Sequence, residues 1–218
     1  MFRRAQIFHD RYPLVGPTFW VISIQYYVTQ LIVAADWPRP YSWANNAISD
    51  LGNTACGMYS GRYVCSPLHN WMNASFIVLG ATMIAGSLLI YQEFRKSVAS
   101  AVGFSFMALA GLGTILVGLF PENVNSTWHG LGALLPFLIG NVALVLFGRS
   151  LRLGPKLRAY TLLSGAIALA ALALFYSGHY LGLGLGGMER VVAYPQTIWL
   201  IALGLYMSRS HYLKRRAH

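Results

Sequence analysis

The stretch VASAVGFSFMALAGLGTILVGLF, residues 98–120, contains no charged side chain and is long enough to cross the hydrocarbon core of a bilayer as one helix. Similar apolar runs cover residues 14–35, 71–91, 131–147, 160–181 and 191–207. Together they predict an all-α, polytopic membrane helix bundle of about six transmembrane helices. Because the runs follow one another along the chain, we expect residues 1–218 to form a single integral membrane domain.

The composition indicates lipid rather than water as the main solvent of this chain. Of its 218 residues, 56% are hydrophobic and 10% are charged, whereas roughly a quarter of the residues of an average soluble domain are charged. A soluble core of this size does not need consecutive apolar runs of about twenty residues. The first run is also longer than the apolar core of a typical signal peptide, so we expect it to be the first span.

The distribution of positive charge predicts the orientation of the bundle. The formal net charge is +10, and 16 residues are Lys or Arg. They fall in the termini and in or beside the connections 92–97 and 148–157, with three exceptions, Arg39, Arg62 and Arg190. Positive residues are retained on the cytoplasmic side of a membrane, so we expect cytoplasmic termini and residence in the plasma (inner) membrane. Nucleic acid is not expected as a partner, because no basic face is formed.

The long outer loop between the first two spans, residues 36–70, contains Cys56 and Cys65, the two cysteines of the chain. Outside the cytoplasm such a pair indicates a disulfide that closes a small loop. The alternative is a metal or redox pair, which favours a C-x-x-C spacing or a neighbouring histidine, and His69 is the candidate for that histidine.

Within this loop, residues 41–52 (YSWANNAISDLG) form the most distinctive polar segment of the chain. In a helix, its apolar residues would share one face, whereas Asn46, Ser49 and Asp50 would offer hydrogen-bonding groups on another. This pattern predicts a short interfacial helix lying at the membrane surface. The alternative is that Ser49 and Asp50 only cap and terminate local structure.

Three histidines are predicted at the outer ends of spans, namely His69, His129 and His179. Imidazoles at one depth in the membrane can form a metal site or a proton-transfer cluster, especially when carboxylates lie close by. The sequence contains no H-x-x-x-H or H-E-x-x-H pair that would place two ligands on one helix face, so the metal site stays one of two alternatives. The carboxylates expected on the same side are Asp50, Glu122 and Glu189.

An adjacent acid and base, Glu189 and Arg190, precede the last predicted span and are followed by Tyr194. A guanidinium can bind phosphate or carboxylate through two parallel hydrogen bonds, so Arg190 is a candidate for an anionic head group, with Arg62 as its counterpart from the first loop. The alternative is that the pair only anchors a helix end at the interface.

These motifs together resemble a known family. They are NAISDLG at residues 46–52, Phe120-Pro121 with His129-Gly130, and Glu189-Arg190 with Tyr194-Pro195. The sequence resembles the prokaryotic integral membrane family called domain of unknown function 998 over nearly its whole length. The resemblance implies the helix count and a prokaryotic source, and it implies no reaction, cofactor or disulfide.

From these residues we expect an outward-facing polar pocket for an amphiphilic substrate, a lipid or an isoprenoid. The preferred interpretation is a lipid-modifying enzyme that uses acid–base or metal chemistry, or a lipid-binding protein. The expected acid–base groups are Asp50, His129 and Glu189, and the expected substrate-binding residues are Arg190, Arg62, Asn46, Ser49 and Tyr194. The expected metal ligands, if a divalent metal takes part, are His69, His129 and His179. No other cofactor is indicated.

Two further functions fit the sequence, which does not decide whether the protein is an enzyme. A non-catalytic subunit that assembles with a membrane protein partner or with copies of itself would explain the small residues in the spans. A small-molecule transporter would need polar groups at the span centres, where the main candidates are Gln25, Thr29, Asn141 and Ser164.

Overall fold

The computed structural model describes residues 11–94 and 97–216. Arg3, Arg4, Arg95 and Lys96, which contribute to the predicted cytoplasmic charge, lie outside the described residues. Within the described part, six helical segments are long and apolar enough to cross a membrane, and they confirm the predicted helix bundle. Their bounds are Val15–Ala35, His69–Ile90, Val98–Leu119, Ser126–Ser150, Pro155–Tyr176 and Gly184–Leu213.

Several spans are divided into shorter elements. The first consists of α1 (Val15–Ile22) and α2 (Gln25–Ala35), and the outer loop that follows contains a 3-10 turn (Ser49–Gly52) and an antiparallel hairpin of β1 (Gly57–Tyr59) and β2 (Arg62–Val64). The second and third spans are α3 (His69–Ile90) and α4 (Val98–Leu119). The remaining elements are α5 (Ser126–Leu134), a π-helical segment (Leu135–Gly140), α6 (Asn141–Ser150), α7 (Pro155–Tyr176) and α8 (Gly184–Arg216).

Small residues allow the central helices to approach closely. A Cβ added to Gly80 of α3 would lie 2.3 Å from the carbonyl oxygen of Gly111 in α4, so the two backbones touch at this point. In lipid, where the hydrophobic effect does not drive helices together, such close packing supplies much of the association energy. These small residues therefore serve packing within the bundle itself.

An aromatic cluster fills part of the bundle core. Trp20 of α1 stacks on Phe104 of α4, and Phe147 of α6 stacks on Trp199 of α8 with ring centroids 5.0 Å apart. The indole nitrogen of Trp199 donates to the hydroxyl of Thr161 in α7 at 2.7 Å, which satisfies its one polar group. Five helices thus meet around these rings.

The outer loop differs from the predicted interfacial helix. Residues 49–52 form a single 3-10 turn whose Asp50 and Leu51 are both 0% exposed, so the segment is folded into the bundle rather than laid on its surface. The prediction was wrong because short buried segments and interfacial helices share the same alternation of polar and apolar residues. The predicted disulfide between Cys56 and Cys65 is present and joins the two ends of the hairpin.

The last helix begins earlier than predicted, at Gly184, so Glu189 and Arg190 lie inside α8 and not in a loop before it. The glycines that favoured a loop have a packing role instead. A Cβ on Gly186 would lie 1.9 Å from the carbonyl oxygen of Asn46, so only glycine admits the outer loop against this helix. The pair Glu189 and Arg190 is thereby placed against the outer loop.

Replacing Gly80 by Ala should destabilise the bundle, because the new methyl group would collide with the Gly111 carbonyl. Overpacking of this kind costs about 1–3 kcal/mol. Thermal unfolding of the detergent-solubilised protein measures the change. The same substitution at Gly130, a helical glycine with open space around its Cβ position, should leave the melting temperature unchanged or raise it, and an equal loss in both variants would contradict this packing.

Candidate functional site

A buried carboxylate organises the end of the bundle at which the loop of residues 36–70 lies. The Asp50 side chain is 0% exposed and accepts four hydrogen bonds, two of them from the guanidinium of Arg62 at 2.7 and 2.6 Å. The other two come from the backbone amide of Ala47 at 2.9 Å and the side-chain amide of Asn46 at 3.1 Å. Three of these bonds fall on Oδ2 and one on Oδ1, so the carboxylate acts as a structural anchor, and an acid–base role of Asp50 stays a prediction.

The hairpin brings Arg62 to this carboxylate. Ser60 and Gly61, both with positive φ, form the tight turn that pairs Tyr59 with Arg62, and the disulfide holds the two strands together at their other end. Arg62 is therefore not available as an anion-binding partner of Arg190, contrary to the predicted substrate clamp. Asn46, also predicted to bind substrate, instead bridges Asp50 and the backbone oxygen of Tyr63.

A second carboxyl group, Glu122, lies beside this ion pair. One of its oxygens accepts from the side-chain amide of Asn53 at 3.1 Å, and the other lies 3.9 Å from Arg62. Burial, together with the neighbouring Asp50 carboxylate, raises the pKa of Glu122 to about 8. At neutral pH this group therefore carries a proton for much of the time.

Glu189 ties the last helix to the 3-10 turn. Its carboxylate accepts from the backbone amide of Ile48 at 2.5 Å and from the hydroxyl of Ser49 at 3.3 Å. The side chain is almost fully buried. Two acidic side chains therefore hold the same short turn, Asp50 from within the loop and Glu189 from the bundle.

His129, near the start of α5, completes a chain of polar groups. Its Nδ1 lies 2.9 Å from the backbone oxygen of Phe120, and its Nε2 lies 3.0 Å from the hydroxyl of Ser49. Because a carbonyl oxygen can only accept, Nδ1 carries a proton, and Nε2 of the neutral ring has a free lone pair. The Ser49 hydroxyl has a single proton, which it can donate either to Glu189 or to this Nε2. Ser49 thus stands between an imidazole base and the carboxyl group of Glu189.

A cavity of about 50 Å³ lies beneath Ser49 and Glu189. Its walls are mostly apolar, but Thr114, Gln196 and Thr197 add polar groups from α4 and α8. The side-chain oxygen of Gln196 is buried and has no hydrogen-bond partner within residues 11–94 and 97–216. This oxygen lies against Gly140, where an added Cβ would be 1.8 Å away, so it is held in the packing between the π-helical segment and α8.

The sequence matches the family described as Protein of unknown function (DUF998) over residues 21–206. The chain belongs to this family. The match covers the four central spans, most of the first and last, and every residue of the site described above. No curated protein and no solved structure matches the chain.

The three histidines predicted as metal ligands do not meet in this DUF998 protein. His69 bonds to the backbone oxygen of Ser66, and the exposed His179 bonds to Ser177, whereas His129 faces Ser49. In the described part of the chain, no group of three or more His, Cys, Asp or Glu side chains is arranged to hold a metal ion.

Two predicted substrate-binding residues, Arg190 and Tyr194, lie together on α8. Arg190 donates to three backbone carbonyls and to the hydroxyl of Tyr41, and Tyr194 donates to the side-chain oxygen of Gln30 at 2.7 Å. Neither residue lines the cavity beneath Ser49. The structure therefore separates the predicted pocket into two places, one at Ser49 and one at Arg190.

Sequence reasoning missed the polar residues in the cavity wall. Gln196 and Thr197 lie in an apolar run and next to Pro195, where they look like ordinary interruptions of a span. Polar residues inside a span are the signal that could have identified them, because they are costly in lipid unless they face the interior of the bundle.

Replacing Arg62 by Met should destabilise this DUF998 protein, because Asp50 would stay buried without its cation. Breaking a buried ion pair in this way costs about 3–5 kcal/mol. The double variant Asp50→Asn/Arg62→Met should recover much of that loss, as measured by thermal unfolding in detergent. Arg39→Met, at an exposed outer arginine, is the control, and a loss as large there as at Arg62 would contradict the role of the pair.

The stability of the protein should fall as the pH rises from about 4.5 to above 8, because the folded state retains the Glu122 proton over this range, whereas the unfolded chain releases it at the ordinary pKa of 4.5. Glu122→Gln, which resembles the protonated group, should flatten this dependence. Melting temperatures at pH 5, 7 and 9 measure it. The exposed Asp36→Asn serves as the control, and a Glu122→Gln profile as steep as wild type would refute the assignment.

Proposed function

We propose that this protein is a membrane-embedded enzyme that transfers or hydrolyses an ester-linked group of an amphiphilic substrate, a lipid or an isoprenoid. One observation carries the proposal. The hydroxyl of Ser49 lies 3.0 Å from Nε2 of His129, at the edge of a cavity that Ser49 itself lines. A hydroxyl within hydrogen-bond reach of an oriented imidazole is the arrangement used by activated serine nucleophiles.

The three polar groups take distinct roles in this reaction. Nε2 of His129 accepts the Ser49 proton as Oγ attacks the ester carbonyl carbon. The imidazolium then gives this proton to the alcohol that leaves. Water or a second alcohol then attacks the acyl carbonyl carbon and gives its proton to His129. The imidazolium returns a proton to Oγ of Ser49 as the bond to the acyl group breaks. The backbone oxygen of Phe120 fixes the orientation of the imidazole, and Glu189 positions the turn through its bond to the amide of Ile48. The Ser49 hydroxyl, which also lies within reach of Glu189, turns its proton to Nε2 of His129 before the attack.

The size of the cavity supports a substrate that stays mostly in the bilayer. Pockets that enclose a drug-sized ligand occupy roughly 300–1,000 Å³, whereas this cavity measures about 50 Å³. It therefore suits only the reacting end of a long molecule. Ala133, Pro136 and Phe137 form part of its wall and are only partly buried, which supports lateral entry from the lipid as the route that we propose.

We further place this site in the outer leaflet of the plasma membrane of a prokaryote, with both termini in the cytoplasm. The support is the concentration of Lys and Arg in the termini and in the connections at the opposite end of the bundle from Ser49. A cysteine introduced at exposed Met58 and labelled by a membrane-impermeant reagent in intact cells tests the orientation.

Transport is a second candidate, and irregular helices around the cavity favour it. The first span is interrupted near Ser23, the fourth contains the π-helical segment Leu135–Gly140, and α8 contains Pro195. Such irregularities mark binding sites in many transporters. Substrate-dependent flux in proteoliposomes, lost in an Asn141 variant, would select transport over catalysis, and stoichiometric co-purification with another membrane protein would instead select the subunit role.

Ser49→Ala should abolish turnover of the lipid substrate, because it removes the nucleophile, and His129→Gln should slow it by at least about 100-fold through loss of the base. Mass spectrometry of membrane lipids incubated with the purified variants measures the products. Ser177→Ala, at a serine in an outer connection away from the cavity, should retain wild-type turnover. A Ser49→Ala protein that melts normally and still forms product would overturn the proposal.

A further inference from the structure

A groove separate from the Ser49 cavity runs along the outer half of α2 and α8. It measures about 340 Å³ and is lined by Tyr27, Gln30, Leu31, Trp43, Arg190 and Tyr194. Adjacent residues divide between the two places, since Glu189 faces the cavity and Arg190 the groove. The groove is thus on a different side of α8 from the proposed reaction site.

Arg190 is a buried cation with no carboxylate at ion-pair distance among the described residues. The residue is only 9% exposed. No carboxylate of the described residues lies within 4.0 Å of its guanidinium. The hydrogen bonds that it donates go to neutral acceptors, the backbone oxygens of Trp43, Asn46 and Gly186 and the hydroxyl of Tyr41. Its Nε is buried with no acceptor within the described chain.

Arg62 has a carboxylate partner at ion-pair distance, which Arg190 lacks. Arg62 is more exposed, yet it has the buried carboxylate of Asp50 as its counter-charge. Buried charges are normally paired, because an isolated ion loses several kcal/mol of hydration when it leaves water. Carbonyl dipoles and the rings of Trp43 and Tyr41, 4.9 and 5.5 Å from the guanidinium carbon, stabilise the cation but leave its net charge in place.

The surroundings of the groove fit a lipid. Leu31 is 61% exposed and Trp43 is 41% exposed, and an exposed tryptophan near the end of a span is typical of the membrane–water interface. The remaining wall is largely aromatic and aliphatic, which suits an acyl chain rather than a dissolved ion. A phosphodiester at the Arg190 end would supply the missing negative charge.

We infer that this groove binds an anionic phospholipid of the outer leaflet, with its phosphate at Arg190 and Trp43 and an acyl chain along Leu31. The bound lipid is not the substrate of the proposed reaction, and the inference does not depend on that reaction. Because Arg190 also holds the backbone oxygens of Trp43 and Asn46, the lipid would stabilise the segment that leads into the Ser49 turn.

Native mass spectrometry of the purified protein, titrated with phosphatidylglycerol or phosphatidylcholine of equal chain length, tests the inference. Wild type should retain one phosphatidylglycerol at least about fivefold more tightly than phosphatidylcholine, the factor expected for one basic residue at an anionic surface. Arg190→Gln should lose this preference. Arg39→Gln, at an exposed outer arginine outside the groove, should keep it.

A second variant covers the case in which Arg190→Gln does not fold. Leu31→Glu places a carboxylate in the groove at an exposed position, so it should remove the preference for phosphatidylglycerol while Arg190 stays in place. Equal retention of the two lipids by wild type, or a preference that survives in the folded variants, would overturn the inference. Displacement of phosphatidylglycerol by millimolar inorganic phosphate would show a free-anion site instead of a lipid site.

Discussion

The buried carboxylate of Asp50 is the constraint on which the outer half of this protein depends. A charge removed from water must be compensated in place, and here the hairpin and its disulfide deliver Arg62 to it. The same compensation fixes the 3-10 turn, which in turn presents Ile48 and Ser49 to Glu189. The ion pair of Asp50 and Arg62 therefore holds the loop of residues 36–70 against the bundle, where Ile48 and Ser49 form part of the cavity wall.

The transmembrane spans could be predicted from the sequence because each consists of an apolar run whose length matches the bilayer. The outer segments could not, since their structure is decided by contacts with distant residues. Gly186 resembles a loop residue by local preference, yet it lies in α8 because the carbonyl of Asn46 packs against it. Likewise Asp50 fits the pattern of an interfacial helix and becomes buried only because Arg62 meets it.

The sequence predicted that Asp50, His129 and Glu189 from three separate segments would share a site, with Ser49 among the substrate-binding residues. In the structure it is Ser49, and not Asp50, that lies between His129 and Glu189. Ser49, His129 and Glu189 converge because of the topology. Ser49 lies in the loop before α3, and His129 and Glu189 lie in the first turns of the fourth and sixth spans, so all three are at the same end of the bundle. The roles could not be predicted, since they depend on distances. His69 and His179 are at the expected end of the bundle but bond locally, and Asp50 is occupied by four donors while Ser49 holds the position beside the imidazole.

Hydrogen–deuterium exchange of the protein in lipid nanodiscs tests most directly whether the outer loop is folded into the bundle. The amides of Ala47 and Ile48 donate to Asp50 and Glu189, so a peptide covering residues 44–52 should exchange as slowly as the outer turns of α3. The exposed connection at residues 178–182 gives the fast reference. Exchange of residues 44–52 at that fast rate would contradict the account.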